Sequence, residues 1–507
     1  MITGQPNLSG NGRGFSTLEV VIAMAIVIIV LSAVILVSFG NQTALADSQS
    51  SAEALARAQA ALECAQAQAR KDFKLVAVSV LQENCPALAS DSFYTVTVAV
   101  TQTDYAVRQI TTTVAWQAEY GRTLSVQLST LVANFENAIG GDTCSSNLVG
   151  NWSMPLVANG VTDFAQLVGD SAGTYPLTDV DAYQGKVYVT VNNTSANTAE
   201  TFFVFDATNP LNPTLVSKID NDIAQAAGLK AVQTDGHYAY VASGRGIPST
   251  SDPTFGQLHI IDVSVNPVQV VKTLKISGVT GTSGQGVGNS LFYKDGYVYL
   301  GLTKTGSGPE FHIIDVHNPL NPFLVGGYSV GNDVNAIFVK GRYVYLATPN
   351  DEEFTILDVG NPSSPQRVGG FNAPGGEPGL SLALVGDEAY VGRAYSSDGE
   401  LYVLNVASPA AVAELGHQDI GSDNQASAKG LLVRDNLAFV TTSESLRIWD
   451  VATAGSMAER AVVPLPNSGD TLDTTLDCED NYLFIASVPT TGASAKRGTL
   501  SVVTALP

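Results

Sequence analysis

Side chains that could carry out catalysis are few in this sequence. His259 and His312 occupy the same place in two sister repeats, so we expect them to pack within strands rather than bind a ligand. No G-x-S-x-G, H-E-x-x-H, Walker-loop or complete EF-hand pattern occurs. We therefore predict no catalytic residues. The remaining histidines are His237, His317 and His417.

Acidic turns and cysteines are the other candidates for chemistry. Asp220-Asn221-Asp222 and Asp398-Gly399-Glu400 resemble fragments of calcium loops, but isolated acidic turns are usually solvated. The four cysteines form no C-x-x-C pair, which removes the main support for metal-finger and thioredoxin-type interpretations. We expect no metal and no cofactor, with calcium at the acidic turns as the alternative.

Composition excludes further classes. The chain has 507 residues, 45% of them hydrophobic and 14% charged, and a formal net charge of −22. This apolar content is ample for a core, which argues against disorder. Clustered Lys and Arg, which neutralise phosphates, are missing, so we expect no nucleic-acid partner.

One apolar segment dominates the N-terminal part. Val20 to Phe39 contains no charged residue, and as a helix it would span about 30 Å, the thickness of one bilayer core. A polar stretch, Met1 to Gly14, precedes it, and Glu19 stands at its start. A signal peptide would instead have a positive n-region, a shorter apolar core and a small-residue cleavage site. We predict a transmembrane helix over 20–39.

The residues Arg13-Gly14-Phe15-Ser16-Thr17-Leu18-Glu19, followed by this apolar run, resemble the N-terminus of a type IV prepilin. The resemblance implies a leader, 1–14, that a prepilin peptidase removes after Gly14, leaving Phe15 as an N-methylated terminus. It also implies that Glu19 docks subunits into a filament by pairing with the Phe15 amine of a neighbour. The protein would lie in the inner or plasma membrane before assembly and in a pilus on the cell surface afterwards.

The chain beyond Phe39 remains compatible with a helix but becomes amphipathic and rich in Ala, Gln and Glu. We predict one helix over 15–72. Three runs within 73–143 then alternate apolar residues with Thr or Gln, as half-buried strands do. They are Phe93–Thr101, Val107–Trp116 and Thr123–Val132. The resemblance to prepilins implies that the helix and this small antiparallel sheet together form an α+β pilin module.

Internal repeats fill 144–507. One repeated phrase is an apolar run, then Asp and Asn-Pro, as in HIIDVHNP ending at Pro319. Another is a tight turn followed by an aromatic strand, as in DGYVYLGL, and its seven copies lie roughly 45–60 residues apart. We assign the turn positions, with φ > 0, to glycine, Asn or Asp. They are Gly185, Gly236, Gly296, Gly341, Asp387, Asn436 and Asn481.

These phrases resemble the LVIVD repeats of β-propellers. Five aspartates match the Asp of that repeat, whereas Asn405 and Thr504 depart from it. The resemblance implies an all-β propeller, for which we predict seven blades, with six or eight as alternatives. The last unit lacks a fourth strand, which Trp152–Val157 or Phe164–Val168 could supply. The matching aspartates, which we expect to cap turns, are Asp206, Asp262, Asp315, Asp358 and Asp450.

On this plan the cysteines can be paired. Cys64 with Cys85 would join the pilin helix to its following loop, and Cys144 with Cys478 would clamp the closure of the propeller. Four cysteines allow three connectivities, so this pairing is a hypothesis. Oxidation fits a domain outside the membrane.

Ligands of propellers tend to bind where the inner strands converge. Counting back from each turn gives a mostly polar ring there, although water filling a central channel would explain these residues equally well. Its candidate ligand face consists of Asp179, Lys230, Asp333, Asn335 and Asp473.

The function expected from these resemblances is a minor type IV pilin that displays its propeller, at or near a pilus tip, for adhesion to an unknown surface, glycan or protein. Its other partners would be pilin subunits. Two alternatives stay open: a pseudopilin of a machine like type II secretion, and a propeller enzyme tethered by a pilin anchor.

Overall fold

A computed structural model describes most of the chain from residue 47 onward. The described residues are 24, 31, 47–69, 78–104, 107–118, 121–133, 143–144, 148–161, 163–169, 174–192, 200–219, 228–243, 256–280, 285–349, 352–421, 426–466, 472–490 and 497–506. The chain divides into two compact units. The first contains Met1–Thr103 and Val107–Val132, and the second contains Asp104–Ala106 and Ala133–Pro507.

The first unit is a helix and a small sheet. Helix α1 covers residues 47–69, and α2 is Val78–Asn84. The sheet has the order β1-β2-β3. Alanines spaced three or four residues apart put one face of α1 against this sheet, and small side chains allow a close approach. The strands are β1 (Tyr94–Asp104), β2 (Val107–Gln117) and β3 (Thr123–Ala133). The buried alanines are Ala54, Ala58, Ala61 and Ala65.

A helix and three strands predicted for this unit are present among the described residues. The helix is present over 47–69 and the three strands start within one residue of their predicted positions. Cys64 and Cys85 form the expected disulfide, with Cα atoms 5.8 Å apart. Gly14, Phe15, Glu19 and the segment 20–39, apart from Met24 and Leu31, lie outside the described residues. Within the part that is described, no helix has the length and apolar character needed to span a bilayer.

The second unit is a β-propeller. Its described residues contain seven sheets, six of four strands and one of five, and we call them blades one to seven in chain order. The strands before the first full blade are β4 (Thr143–Cys144) and β5 (Asn151–Val161). Blades one to three are β6 (Leu177–Tyr183), β7 (Lys186–Val191), β8 (Phe202–Asp206), β9 (Thr214–Ile219); β10 (Leu229–Thr234), β11 (Tyr238–Ser243), β12 (Leu258–Asp262), β13 (Gln269–Leu274); β14 (Gly288–Lys294), β15 (Tyr297–Leu302), β16 (Phe311–Asp315), β17 (Phe323–Tyr328). Blades four to six are β18 (Ala336–Lys340), β19 (Tyr343–Ala347), β20 (Phe354–Asp358), β21 (Gln366–Phe371); β22 (Gly379–Val385), β23 (Glu388–Arg393), β24 (Leu401–Asn405), β25 (Ala413–Gln418); β26 (Gly430–Arg434), β27 (Leu437–Thr441), β28 (Ser445–Asp450), β29 (Ala458–Pro464). Blade seven is completed by β30 (Leu472–Asp480), β31 (Tyr482–Pro489) and β32 (Thr499–Leu506).

The blades follow one another around a ring. The innermost strand of each blade contacts that of the next, and β30 of blade seven contacts β6 of blade one. Blade seven is composite, because β5 pairs antiparallel with β32 as its outer strand and β4 pairs parallel with β30. Trp152 of β5 also packs edge-on against Phe439 of blade six, with ring centroids 4.9 Å apart. The N-terminal strand thereby covers an edge that would otherwise be open.

This closure tests three sequence predictions. The strand predicted at Trp152–Val157 is confirmed within β5. The alternative, Phe164–Val168, is wrong because these residues form a short helix, α3, which Asp163 caps by accepting from the amides of Ala165 and Gln166. The Cys144–Cys478 disulfide is confirmed, with Cα atoms 5.1 Å apart.

The hairpin turns and the repeated aspartates behave largely as the sequence predicts. Positive φ values occur at five of the predicted turn positions, but at Gly386 and Asp480 instead of Asp387 and Asn481. The aspartates cap turns by accepting from the backbone amide two residues on; Asp262, for example, accepts from Ser264 at 3.0 Å. Asn405 does the same toward Ala407 at 2.9 Å, which explains why its departure from the repeat is tolerated.

Outer strands contact the following blade through glycine. In blades three to five the same place on the outer strand holds Gly326, Gly369 or Gly416, and a Cβ atom there would overlap a backbone carbonyl oxygen of the next blade, at Pro362, Pro409 or Ala454. These glycines are needed for the close approach of two backbones rather than for an unusual φ.

Candidate functional site

The seven inner strands begin at the same end of the ring, which we call the upper face. Their common direction follows from bonds between neighbours: Asp179 and Asp181 of β6 accept from the amides of Val232 and Thr234 of β10 at 2.9 and 3.0 Å. The connections between second and third strands also lie at this face. They vary in length from Thr441–Ser445 to Ser243–Leu258. The connections at the opposite face are nearly constant in length, with one to three residues between first and second strands and six or seven between third and fourth strands. Variable connections on a rigid scaffold are where binding residues usually lie.

Buried acidic side chains organise these connections. Glu310, Glu353 and Glu400 each directly precede the third strand of a blade and are at most 4% exposed. Glu400 accepts from the amides of Ser396 at 2.8 Å and Ile420 at 2.9 Å, which joins two upper-face connections. Burial raises the pKa of Glu353 and of Glu400.

One of these carboxylates has a buried cationic partner. Arg393 Nη2 lies 2.8 Å from Glu353 Oε1, and both side chains are at most 2% exposed. The same nitrogen donates to the Pro374 carbonyl at 2.9 Å, and the guanidinium carbon lies 5.2 Å from the centre of the Tyr402 ring. This ion pair links blades four and five and is a structural element, because its charges are turned away from solvent.

The predicted ligand-face residues lie at the upper face, but several are bonded to the protein itself. Asp179 accepts from Thr475 Oγ1 at 3.0 Å as well as from Val232, and Asn335 donates to the Gly379 carbonyl at 2.7 Å. Asp333 accepts from the Lys304 amide at 2.6 Å. Asp473 is more available, since 65% of its side chain is exposed beside Lys429. Lys230 is half-buried at the start of β10.

Polar side chains on or next to the inner strands bond from blade to blade around the whole ring. Each boundary between neighbouring blades has at least one such hydrogen bond within the described residues. The bonds are Thr178 to Leu229, Tyr293 to Gln233, Asn289 and Ser290 to Val334, Asn335 to Gly379, Ser381 to Ala428, Lys429 to Leu472, and Thr475 to Asp179. Much of the polar ring predicted as a ligand site therefore holds the blades together.

Acidic groups are concentrated at the closure of the ring. We call the four carboxyl groups of Asp179, Asp181, Asp477 and Glu479 the acidic seam. Asp477 accepts from the Ala182 amide at 2.7 Å, and Glu479 accepts from the Gly185 amide at 2.7 Å. Burial raises the pKa of Asp179 to about 6 and that of Asp477 to about 7. It also raises the pKa of Asp181, with the Asp477 charge adding to the effect, and that of Glu479.

The two sister histidines pack within strands, as predicted. His259 is fully buried and its Nδ1 lies 2.9 Å from Thr273 Oγ1; His312 is 1% exposed and its Nε2 lies 2.9 Å from the Pro309 carbonyl. Burial lowers the pKa of each to about 4, so both rings are neutral at pH 7.

Ser264, His237 and Asp262 have the residue types of a hydrolase triad but not its geometry. Ser264 Oγ donates directly to Asp262 at 2.6 Å, and His237 Nε2 lies 3.4 Å from Ser264 Oγ and 4.0 Å from Asp262. In a triad the imidazole lies between the two and takes the serine proton. This cluster cannot relay a proton in that way.

Potential metal ligands come together at one described place, Cys144, Asp477 and Cys478. Both cysteines form the disulfide there, so neither offers the thiolate that a metal needs. Asp220-Asn221-Asp222 lies outside the described residues. In Asp398-Gly399-Glu400, Glu400 is bonded to the two backbone amides given above, so it does not present a free carboxylate to a cation.

Sequence reasoning missed the buried glutamates and, apart from Asp179, the acidic seam. An alignment of the repeats by their third strands would show Glu in front of Phe311, Phe354 and Leu401, a recurring signal that identifies the glutamates. The seam has no such signal, because its residues belong to blades one and seven, at opposite ends of the repeat array.

Comparison with known proteins agrees with the repeat assignment. Residues 331–373 match the LVIVD repeat, and this range contains the four strands of blade four. No curated protein sequence matches the chain. Similar solved structures include the Neurospora crassa Pan2 WD40 domain, at 10% identity and TM-score 0.42 over 66% of this chain and 90% of that one. Another is a functionally unknown protein from Desulfotomaculum acetoxidans, at 12% identity and TM-score 0.40 over 65% and 99%. The chain is thus a β-propeller protein with an LVIVD repeat.

Proposed function

We propose that the protein is a minor type IV pilin that displays a seven-bladed propeller, at or near the tip of a filament, for adhesion or recognition. The observation that carries this proposal is the order of modules. An uncharged run, Val20 to Phe39, with Glu19 at its start comes first. Helix α1, its disulfide to Cys85 and the three-stranded sheet follow, and the propeller comes last. A membrane-length segment joined to such a module suits a subunit that leaves the bilayer to enter a filament.

Maturation follows from the residues before the apolar run. A prepilin peptidase would cut after Gly14, and Phe15 would become the methylated terminus. Glu19 would then pair with the Phe15 amine of a neighbouring subunit, because a carboxylate at the edge of an apolar helix bundle requires a cationic partner. The protein would reside in the inner or plasma membrane until assembly carries it to the cell surface.

The propeller would bind rather than catalyse. The ring of seven sheets in continuous contact supports the seven-blade count. The upper face, with its variable connections held by Glu310, Glu353 and Glu400, would contact a surface, glycan or protein. Two observations favour binding: the triad-like cluster lacks the geometry for proton relay, and the buried carboxylates are bonded to backbone amides. The proposal includes no cofactor and no nucleic-acid partner.

The test is a stop codon after Gly141 in the native host, with filaments counted by electron microscopy and attachment to surfaces and partner cells scored in parallel. Normal filaments with lost attachment are expected. The matched control is full-length Glu19→Ala, which should leave the propeller intact but keep it out of filaments.

Other outcomes would overturn the proposal in distinct ways. Loss of filaments on truncation would assign the protein to initiation of assembly rather than display. Intact filaments with intact attachment would instead point to secretion or to a tethered enzyme. Glu19→Ala protein recovered in sheared filaments would refute the pilin assignment itself.

A further inference from the structure

The closure of the ring differs chemically from its other boundaries. Side chains that bridge blades two to seven near the inner strands include amides, hydroxyls and lysines, such as Gln233, Ser290, Asn335 and Lys429, and the carboxylate of Glu353 is paired there with Arg393. Between blades seven, one and two, the four carboxyls of the acidic seam accept from backbone amides of the neighbouring blade, beside the hydroxyl bonds of Thr178 and Thr475. Asp179 and Asp181 are two residues apart on β6, as Asp477 and Glu479 are on β30, so each pair lies on one side of its strand.

Few cations balance these charges. Arg434 of β26 is the cation whose charge acts on Asp477. Lys186, at the start of β7, donates to the Val263 carbonyl at 3.3 Å. The other titratable groups on the adjoining elements are Lys230 on β10, Tyr183 and Tyr188 on β6 and β7, Asp235 beyond β10, Asp473 and Asp480 on β30, and Tyr482 on β31.

Full ionisation of the seam would place like charges together in a poorly hydrated environment. A buried carboxylate that is neither paired nor fully hydrated takes up a proton instead. A protonated carboxyl group still accepts a backbone N–H through its carbonyl oxygen. The bonds to Ala182 and Thr234 can therefore persist without charge. Each bond taken alone is stronger to a carboxylate, but ionisation of all four groups makes them repel one another and pushes apart the strands that carry them.

We propose that the acidic seam is a pH-dependent latch, in which bound protons keep blade one closed against blades seven and two, and their release to solvent as the pH rises through neutrality loosens these two boundaries alone. The raised pKa values of Asp477, Asp181 and Asp179 support it. These shifts also give the direction of the pH dependence. A group whose pKa is higher in the closed ring than in the open ring stabilises closure at low pH, and this stabilisation is lost as the pH rises through the higher pKa.

The Tyr293 amide provides an internal control. It donates to Gln233 Oε1 at 2.6 Å, in the same position relative to its neighbouring blade as the Ala182 amide donating to Asp477. Its acceptor is an amide that does not titrate. A pH effect on the whole propeller would lower the protection of both amides from hydrogen exchange, whereas the latch would lower only the protection of the Ala182 amide.

The experiment is hydrogen exchange of the full chain in detergent micelles at pH 5.5, 6.5, 7.5 and 8.5, read by mass spectrometry and corrected for intrinsic exchange rates. Protection of the Ala182 amide is expected to fall by up to about tenfold per pH unit for each proton released, and to level off once the seam is ionised. Protection of the Tyr293 amide should stay constant. A parallel loss at both amides, or none at Ala182, would overturn the proposal.

Variants sharpen the result. Asp477→Asn should abolish most of the pH dependence at Ala182, whereas the matched Asp473→Asn, at an exposed position of the same strand, should leave it as in the native protein. An Asp477→Asn protein that keeps the full pH dependence would refute the latch. If Asp477→Asn does not fold, Asp181→Asn and the native comparison of the two amides decide the question.

Discussion

Thr475 donates its hydroxyl hydrogen to Asp179 at 3.0 Å, across a sequence separation of 296 residues. The bond joins the inner strand of the last blade to that of the first. Asp179 also accepts from the Val232 amide at 2.9 Å, so one side chain links three successive blades. The integrity of the ring thus depends on polar groups near its axis as well as on apolar packing between blades.

Removing the disulfide at the closure should destabilise the propeller. The double variant Cys144→Ser, Cys478→Ser is expected to lose about 2–5 kcal/mol, because the unfolded chain gains freedom when a long loop is opened. Calorimetry of the full chain would show a lower propeller transition. The matched pair Cys64→Ser, Cys85→Ser should leave that transition unchanged, and an equal effect of both pairs would contradict the assignment.

Substituting the glycine between blades four and five should loosen that boundary. Gly369→Ala would place a methyl group against the Pro409 carbonyl oxygen, at an expected loss of about 1–3 kcal/mol from overpacking. Gly455→Ala is the control, since its nearest neighbour would be the Leu415 carbonyl oxygen at 3.7 Å. Urea unfolding measures the stability of both variants. Equal unfolding midpoints would show that the outer strand can shift to accommodate the methyl group at no cost in stability.

Glu310→Ala should disorder the upper face around blade three. Glu310 accepts from Thr305 Oγ1 at 2.7 Å and from the amides of Val330 and Gly331 at 2.9 Å, and the variant removes the buried acceptor that these three donors share. We expect a loss of about 3 kcal/mol and faster proteolysis between residues 303 and 310. Glu414→Ala on exposed β25 should change stability by less than about 1 kcal/mol. Unchanged proteolysis would mean that Glu310 does not organise this connection.

Acid should destabilise the propeller through its buried histidines. His259 has a pKa of about 4 in the folded chain and an ordinary value of 6.5, so between these values the unfolded chain binds more protons. Its contribution to stability is complete above pH 6.5 and is lost as the pH falls to 4, by up to about 3 kcal/mol. His259→Val should remove this dependence, whereas exposed His417→Gln should retain it. Melting temperatures measured from pH 4 to 7 test this prediction. It would be contradicted if the melting temperature depended on pH in the same way in the native and His259→Val proteins.

Features set by local sequence could be predicted. The hairpin at Asp295-Gly296 and the capping by Asp262 depend on a few adjacent residues, and the repeat makes each visible several times. The closing strand could be predicted because blade seven has one strand too few, and Trp152–Val157 is a mostly apolar run near the start of the repeat region. The pairing of Cys144 with Cys478 followed from that same topology.

Features that depend on how blades meet could not be predicted. Asp179 has the sequence features of a channel-facing ligand residue, yet its acceptor oxygens are taken by Val232 and Thr475 of two other blades. Whether a polar inner-strand side chain faces the axis or a neighbouring strand depends on blade spacing, which no single repeat encodes. The prediction for Phe164–Val168 failed for another reason, because a short apolar run is compatible with either a strand or a helix. The N-cap bonds from Asp163 favour the helix.

The pairing of β5 with β32 has a consequence for biosynthesis. A ribosome adds about 5–20 residues per second, so the outer strand of blade seven emerges roughly 20–70 s before its partner. During that interval β5 is an unpaired strand bearing Trp152, able to associate with nascent copies on the same message. Assembly of this propeller therefore depends on keeping one early segment unoccupied until synthesis reaches β32, a task suited to a holding chaperone.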